Sequence, residues 1–259
     1  MRIALNVEYD GTDFCGWQTQ KDCRSVQQEV ERAVSTVADQ PVSVVCAGRT
    51  DTGVHASGQI IHFDVDVIRK ERNWVLGCNA NLPRDVSISW AKEVKDDFHA
   101  RFSATARSYR YVILNRMTRS AIYRNRVSWH HQPLDEIRMN MAAKSFLGEQ
   151  DFTSFRALAC QAKHAVRMMH EINVERKGDF IIIDVRANAF LHHMVRNIAG
   201  TLIAIGEGEQ DIGWVQELLD AKDRTQAGIT APPHGLYLVN VEYPSEFELP
   251  VGCAAPTFY

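Results

Sequence analysis

The amino-acid sequence predicts a mixed α/β protein built from two ferredoxin-like halves, each with the element order β-α-β-β-α-β. Short segments alternate apolar and polar residues, as strands with one buried face do, and segments with helical spacing lie between them. The 259 residues are 45% hydrophobic and 24% charged, which is typical of globular proteins. No apolar run approaches the ~20 residues that cross a bilayer, so we expect no membrane association.

The first half begins with an alternating strand at 2–9. Ser25-Val26-Gln27-Gln28 follows, and this pattern predicts a capping box at the start of a helix. Apolar residues at helical spacing continue that helix through Val37. The remaining elements predicted for this half are strands at 41–46 and 59–65, a helix at 69–79 and a strand at 86–94.

The second half repeats the same order with one additional helix. Its predicted elements are a strand at 105–114, a helix at 135–147, hairpin strands at 166–175 and 179–187, helices at 191–205 and 212–221, and a strand at 236–243. We therefore expect two α/β domains, 1–100 and 101–259. Their mainly antiparallel sheets are expected to join, with flanking helices and a basic active-site cleft between the halves.

The net charge of −3 conceals a strongly basic segment. No acidic residue lies between Asp97 and Asp135, whereas seven arginines do: Arg101, Arg107, Arg110, Arg116, Arg119, Arg124 and Arg126. Aromatic residues are interleaved with them, and a second stretch without acids contains Arg156. Arginines that neutralise phosphates beside rings that stack on bases are typical of nucleic-acid binding. The alternative is a set of solvated strand faces and loops.

The six cysteines form no CxxC pair and have no nearby histidine partner, so we expect reduced thiols and neither a disulfide nor a zinc site. The doublets His130-His131 and His192-His193 lack the spacing of metal ligands, so no metal is expected. The first residues alternate like a strand and do not resemble a signal peptide. A cytoplasmic protein is the expectation.

A glycine-rich loop at 48–59 is the best candidate for chemistry. Gly48, Gly53 and Gly58 allow tight turns, and loops held by a rigid scaffold often carry catalytic groups. Asp51 is the only carboxylate in the loop, and Arg49 lies two positions away. A nearby guanidinium favours the ionised carboxylate, which can act as a nucleophile or base. The alternative is a turn capped by the aspartate side chain.

The segment Ala47-Gly48-Arg49-Thr50-Asp51-Thr52-Gly53-Val54-His55-Ala56 resembles the signature of the tRNA pseudouridine synthase A family. Other family motifs follow in the same order along almost the whole chain: Tyr9-Asp10-Gly11-Thr12, Gly16-Trp17-Gln18, Asn79-Ala80-Asn81-Leu82-Pro83, Phe98-His99-Ala100-Arg101-Phe102, Tyr109-Arg110-Tyr111, Asp151-Phe152-Thr153-Ser154-Phe155-Arg156, Asn188-Ala189-Phe190-Leu191-His192-His193-Met194-Val195-Arg196-Asn197 and Gly235-Leu236-Tyr237-Leu238. All of these motifs match without a departure.

The resemblance implies a homodimeric isomerase without a cofactor. Its reaction would convert uridine to pseudouridine at positions 38, 39 and 40 of the tRNA anticodon arm. Asp51 would be the nucleophile, and Arg49 would help to extrude the target nucleotide. Tyr109 would stack on the flipped uracil, Arg196 would pair with Asp51, and Leu236 would form the apolar floor under the base.

Four arginines outside the catalytic loop are candidates for contacts with the RNA. Alternation on the strand at 105–114 puts Arg107 and Tyr109 on one face, so that one surface offers a phosphate contact and a stacking ring. Arg110 points to the other face. Arg101 and Arg156 complete the set of predicted substrate-binding residues.

Two other functions compete with this interpretation. Asp64 and Asp66 imitate the nucleophile strand of haloacid-dehalogenase phosphohydrolases, and Asp179 with Asp184 imitates their metal-binding acids. Alternation makes the first pair the polar face of a half-buried strand, however. The second alternative is a non-catalytic RNA-binding module, although the strand at 59–65 lacks the basic and aromatic pattern of sheets that bind RNA.

Overall fold

The computed structural model describes residues 1–158, 160–250 and 254–258. The chain forms two compact units, the first made of Met1–Ala106 and Tyr237–Pro256 and the second of Arg107–Leu236 and Thr257–Tyr259. Each unit is mixed α/β, with a mainly antiparallel sheet and helices packed against strands or against one another. The predicted fold class is confirmed at this level.

The first unit follows the predicted β-α-β-β-α-β order. Its elements are β1 (Arg2–Tyr9), α1 (Val26–Ala38), β2 (Val45–Cys46), β3 (His55–Asp64), α2 (Glu71–Asn81) and β4 (Val86–Val94). The strands lie in the order β4, β1, β3, β2, and each pair is antiparallel. The sheet therefore places the end of β2 and the start of β3 on either side of the glycine-rich loop.

Local sequence determines the start of α1. The Ser25 side chain accepts a hydrogen bond from the Gln28 backbone, and the Gln28 side chain accepts one from the Ser25 backbone, as the predicted capping box requires. The buried face of α1 contains Val26, Val30 and Val34. This apolar face anchors the helix in the core of the first unit.

The second unit contains the remaining helices and most of the remaining strands. They are β5 (Ala106–Asn115), β6 (Ser128–His130), α3 (Glu136–Ala143), β7 (Gly148–Asp151), β8 (Val166–Lys177), β9 (Phe180–Ala187), α4 (Met194–Gly206) and α5 (Trp214–Ala221). The strands β5, β9, β8 and β7 form consecutive antiparallel pairs, and β6 pairs in parallel with β5. Among the described helices of both units, none is long and apolar enough to cross a membrane.

The last strand, β10 (Leu236–Glu242), corrects the expected division of the chain. The predicted second domain ran from 101 to 259, but Tyr237–Pro256 belongs to the first unit. Tyr237 and Leu238 pair in parallel with His55 and Ala56 of β3. This pairing joins residues about 180 positions apart in sequence, so local patterns did not reveal it.

The strand predicted at 41–46 is much shorter in the structure and contains only Val45 and Cys46. The preceding backbone bonds instead to side chains of α1. Val42 N–H donates to the Ser35 hydroxyl at 2.9 Å, and Val44 N–H donates to Glu31 Oε1 at 3.0 Å. Because helix side chains satisfy these groups, the segment does not need a neighbouring strand.

The expectation of free thiols is wrong for one pair of cysteines. Cys15 and Cys23 form a disulfide, with their Cα atoms 6.2 Å apart. The chain between them turns back on itself, so that Cys15 N–H donates to the Arg24 carbonyl at 2.9 Å. The pairing follows from this turn and not from any short cysteine motif.

Candidate active site

The loop that carries Asp51 is held at its base by a buried glutamine. Gln59 of β3 is fully buried, and its side-chain amide bonds both backbone groups of Gly48. Gly48 N–H donates to Gln59 Oε1 at 3.3 Å, and Gln59 Nε2 donates to the Gly48 carbonyl. Asp51 is half-buried and Arg49 is exposed. One side chain thus fixes the start of the loop, a role that sequence analysis missed.

A second set of contacts holds the other side of the loop. Trp17 N–H donates to the Thr50 carbonyl at 3.0 Å, and Gly53 N–H donates to the Phe14 carbonyl at 3.4 Å. The hydroxyl groups of Tyr9 and Thr50 lie 2.7 Å apart in a buried hydrogen bond. The residues on both sides of Asp51 are therefore fixed by the segment that follows β1.

Glycine allows this segment to approach the loop closely. Gly16 has φ +88°, and a Cβ atom there would lie 2.5 Å from the Thr50 carbonyl oxygen and 3.0 Å from the Asp51 carbonyl carbon. A Cβ atom on Gly11 would overlap the Val54 carbonyl. Both glycines belong to the motifs Tyr9-Asp10-Gly11-Thr12 and Gly16-Trp17-Gln18, so these motifs support the loop that carries Asp51.

His55 ends the loop and begins β3. Its imidazole is buried and stacks on Tyr237, with ring centroids 4.7 Å apart. Gly11 N–H donates to His55 Nδ1 at 3.0 Å, and Asp10 Oδ1 lies 3.2 Å from the same nitrogen. The contact with His55, together with hydrogen bonds from Thr12, holds the pKa of the Asp10 carboxyl well below its ordinary value. The carboxylate of Asp10 thus stays ionised beside the loop.

The second unit holds Tyr109 on β5, opposite Val185 of β9. The residue is 9% exposed, and its ring contacts Phe190 edge-on with a centroid distance of 4.9 Å. On the same strand, Arg107 Nη1 donates to the Asn188 carbonyl at 2.9 Å. Arg107 and Tyr109 thus contact the segment just after β9.

Arg196 lies in the first turn of α4 and is half-buried. Its Nε donates to the Ala231 carbonyl at 2.8 Å, and Ala231 N–H donates to the Arg196 carbonyl at 3.1 Å. The next residue, Asn197, accepts a hydrogen bond from Thr230 Oγ1 at 2.7 Å. These bonds tie the start of α4 to the chain that leads into β10. Leu236 is 6% exposed and begins that strand.

The other predicted substrate-binding arginines have different surroundings. Arg110 binds Asp184 on the neighbouring strand through two hydrogen bonds of 2.8 Å. Arg156 Nη1 donates to the Ala162 carbonyl at 3.4 Å. The Arg101 guanidinium, in the first unit, lies 5.4 Å from the centroid of the Phe102 ring. Their roles in RNA binding stay predictions.

Three of the four carboxylates that suggested a phosphohydrolase contact an arginine, and the fourth, Asp66, is exposed. Asp64 binds Arg2 through two hydrogen bonds of 2.8 Å, and Asp184 binds Arg110 as described above. Asp179 lies 3.4 Å from Arg116. These three acids are explained as partners of arginines within their own units.

Comparison with known proteins adds independent evidence. A family model described as tRNA pseudouridine synthase matches residues 5–103 and 142–244. The chain is similar to three curated proteins named tRNA pseudouridine synthase A. It is 57% identical to that of Shewanella woodyi and 56% identical to that of Shewanella amazonensis, each over 100% of this chain and 99% of the relative. It is also 56% identical to that of Hydrogenovibrio crunogenus, over 96% of this chain and 95% of the relative.

Proposed function

Because the chain belongs to the tRNA pseudouridine synthase family, whose members are isomerases, we propose that its targets are uridines 38, 39 and 40 of the tRNA anticodon arm. Asp51 is the catalytic carboxylate of this proposal. The observation that carries it is the rigid loop at 48–54, where backbone hydrogen bonds and two close glycine contacts fix the residues around Asp51. A nucleophile held in place needs little rearrangement before it reacts.

The chemistry suits a carboxylate. The N1–C1′ glycosidic bond of uridine breaks, the uracil ring rotates, and a C1′–C5 bond forms; the C5 hydrogen leaves as a proton and N1, which kept the electron pair of the broken bond, takes up a proton. A carboxylate can stabilise positive charge at C1′ or add to C6 of the ring, and both routes return it unchanged. No electrons are gained or lost and no group is transferred elsewhere, so the proposal requires no cofactor.

The target base must leave its stack before it can react, and extrusion costs a few kcal/mol. In this proposal, exposed Arg49 helps to displace the nucleotide. Tyr109 provides a stacking ring and Leu236 an apolar surface for the base. Arg196 provides a cation for the same reaction, and its backbone and side chain are both fixed by Ala231. We also propose that the enzyme acts as a homodimer in the cytoplasm.

The test uses tRNA carrying tritium at C5 of its uracils, incubated with the wild-type protein without added metal or nucleotide. We expect tritium release and pseudouridine at positions 38 to 40. Asp51→Asn should lower the rate by about 10⁴-fold or more while tRNA binding persists. Asp66→Asn is the matched control, because Asp66 is an exposed acid of the same unit.

Three results would contradict this proposal. Release of tritium at a normal rate by Asp51→Asn would remove Asp51 as the nucleophile. Pseudouridine found only outside the anticodon arm would refute the proposed target positions. Loss of activity in Asp66→Asn together with Asp51→Asn would point instead to a general effect of charge.

A further inference from the structure

The second unit contains a small pocket whose lining includes none of the residues proposed for the reacting uridine. Its volume is about 220 Å³, and its lining comes from the end of β5, the loop at 119–129 and the segment at 232–234. Leu114 and Val127 in the lining are buried. Pockets for drug-sized ligands usually measure ~300–1,000 Å³, so this one suits a single ring.

The polar wall of the pocket is held closely against the sheet. A Cβ atom on Gly235 would lie 2.6 Å from the Val112 carbonyl oxygen and 2.9 Å from Ser128 Oγ. Ser128 Oγ in turn lies 2.6 Å from the Tyr111 hydroxyl, which also donates to the Pro232 carbonyl at 2.9 Å. The segment at 232–235 is therefore fixed beside β5 and β6, and the pocket has a defined wall.

Two arginines in the lining, Arg119 and Arg124, are exposed. Within the described part of the chain, neither has a hydrogen bond or an ion pair. No acidic residue belongs to the described lining. By contrast, Arg110 and Arg116, which flank this loop in sequence, both bind carboxylates. The positive charge at the pocket is thus available for an anionic ligand.

Two aromatic rings in the same lining are fixed by contacts of their own. Tyr123 meets Phe180 and Phe258 edge-on, with centroid distances of 5.5 and 5.7 Å. Trp129 is 45% exposed, and its Nε1 donates to the Arg116 carbonyl at 2.9 Å. Fixed rings beside unpaired guanidinium groups combine the two elements of single-stranded nucleic-acid binding, stacking and phosphate contact.

We propose that this pocket binds one unpaired nucleotide of the RNA substrate, at a site separate from the uridine that reacts. Arg119 and Arg124 contact its phosphates, and its base stacks on Tyr123 or Trp129. The proposal rests on tRNA being the substrate. A free phosphate ion would use the arginines alone and would leave the two rings without a role.

The first experiment measures the affinity for a full-length tRNA transcript at several salt concentrations. The double variant Arg119→Ala/Arg124→Ala should bind more weakly, and its salt dependence should fall by about 1.5 in log–log slope, since each phosphate contact contributes ~0.7–0.9. The matched control is Arg69→Ala/Arg72→Ala, which removes the same charge from two exposed arginines of the first unit that have no hydrogen bond or ion pair within the described residues. Its slope should stay near that of the wild type.

The second experiment locates the nucleotide. An oligouridylate of five nucleotides, one of them 4-thiouridine, is photo-crosslinked to the full-length protein. The crosslinked peptide is then identified by mass spectrometry. We expect crosslinks at Tyr123 or Trp129 in the wild type and the control, and a loss of at least about tenfold in Arg119→Ala/Arg124→Ala. Because both arginines are exposed, thermal unfolding of that variant should match the wild type.

An unchanged salt slope, or crosslinks found only outside the loop at 119–129, would overturn the proposal. A changed oligomeric state with unchanged RNA affinity would also overturn it, because the pocket would then contact a second copy of the chain. If inorganic phosphate competes with tRNA as strongly as the oligouridylate does, the pocket binds anions in general and the proposal of a nucleotide site is wrong. The proposed activity has its own readout: if the wild-type protein releases no tritium, the proposed function fails, whatever the result for this pocket.

Discussion

The loop at 48–54 in the first unit and the loop at 119–129 in the second unit are both partly exposed, but they are held differently. Around Asp51, Gln59 bonds both backbone groups of Gly48, Trp17 N–H donates to the Thr50 carbonyl, and Gly53 N–H donates to the Phe14 carbonyl. In the second loop, Arg119 and Arg124 have no hydrogen-bond partner within the described chain. The comparison separates two physical demands. A reacting group requires a fixed position, whereas a phosphate contact requires charge that is not already paired.

Among substitutions outside the proposed reacting residues, the largest effect is expected from Gly16→Ala, which adds a Cβ atom 2.5 Å from the Thr50 carbonyl oxygen. The clash should displace the Asp51 backbone, and a displacement of about 1 Å can lower turnover by about 100-fold. Gly178→Ala is the matched control, because Gly178 also has positive φ but no atom within 4 Å of the added Cβ. It should lose only about 1 kcal/mol of stability and keep its turnover. Equal turnover in the two variants would show that the loop tolerates displacement.

The next effect concerns Gln59, whose amide satisfies both backbone groups of Gly48. Gln59→Leu leaves these groups without their partner, and we expect a loss of about 3 kcal/mol in unfolding free energy. Turnover should fall as well, since the base of the loop is no longer fixed. Denaturant titration and tritium release measure the two effects. Gln59→Glu keeps an acceptor for Gly48 N–H but buries a carboxylate beside the Gly48 carbonyl, so it should be no more stable than Gln59→Leu. A Gln59→Leu variant as stable as the wild type would contradict the role of Gln59.

The first unit should also respond to pH through His62 of β3, whereas the arginines of the second loop should not. Burial, together with the charges of Arg2 and His99, lowers the pKa of His62 to about 4, compared with ~6.5 in the unfolded chain. Between these values the unfolded state binds the proton and the folded state does not. Stability is therefore fully present above pH 6.5 and falls by roughly 3 kcal/mol as the pH drops to 4.

The measurement for His62 is denaturant unfolding at pH 7 and pH 4.5. His62→Asn keeps an acceptor for Ala100 N–H, which donates to His62 Nδ1 at 3.1 Å, and should reduce the pH dependence. The same pH dependence in both proteins would exclude His62 as its source. Arg119 and Arg124 stay charged throughout this range, so their contribution to tRNA affinity should not change with pH.

The smallest effect is expected at Arg110. Arg110→Met should cost about 1 kcal/mol of stability, because the ion pair with Asp184 is partly exposed. A double-mutant cycle with Asp184→Asn should show coupling of similar size. If Arg110 mainly joins β5 to β9, tRNA affinity should change less than twofold. A loss as large as that of Arg119→Ala/Arg124→Ala would instead support the predicted contact with RNA.

Local patterns predicted much of the fold and the position of the central loop. The capping box at Ser25 and the strand at 86–94 are present as expected, because both depend on neighbouring residues. The pairing of β10 with β3 was not predicted, since it depends on residues far apart in sequence. The disulfide between Cys15 and Cys23 was not predicted for a similar reason, because it requires the turn between them.

The candidate site shows the same limit. The residue types around Asp51 indicated a rigid loop, but the support from Gln59 depends on a buried polar side chain that alternation does not reveal. Arg110 and Arg124 lie in the same basic segment, and the sequence alone does not distinguish their roles. Register places Arg110 opposite Asp184, and only the folded structure shows which arginines already have a carboxylate partner. The sequence thus indicates where positive charge is concentrated, whereas strand pairing determines which charges are available.

The return of β10 to the first unit has a consequence for synthesis on the ribosome. Met1–Ala106 emerges early, but its partner strand at Leu236–Glu242 is translated 130 residues later. At ~5–20 residues per second this delay is on the order of ten seconds. During that interval the edge of β3 at His55 and Ala56 lacks its final neighbour, and unpaired strand edges favour association with other chains. Nascent chains stalled in this interval are therefore expected to recruit chaperones.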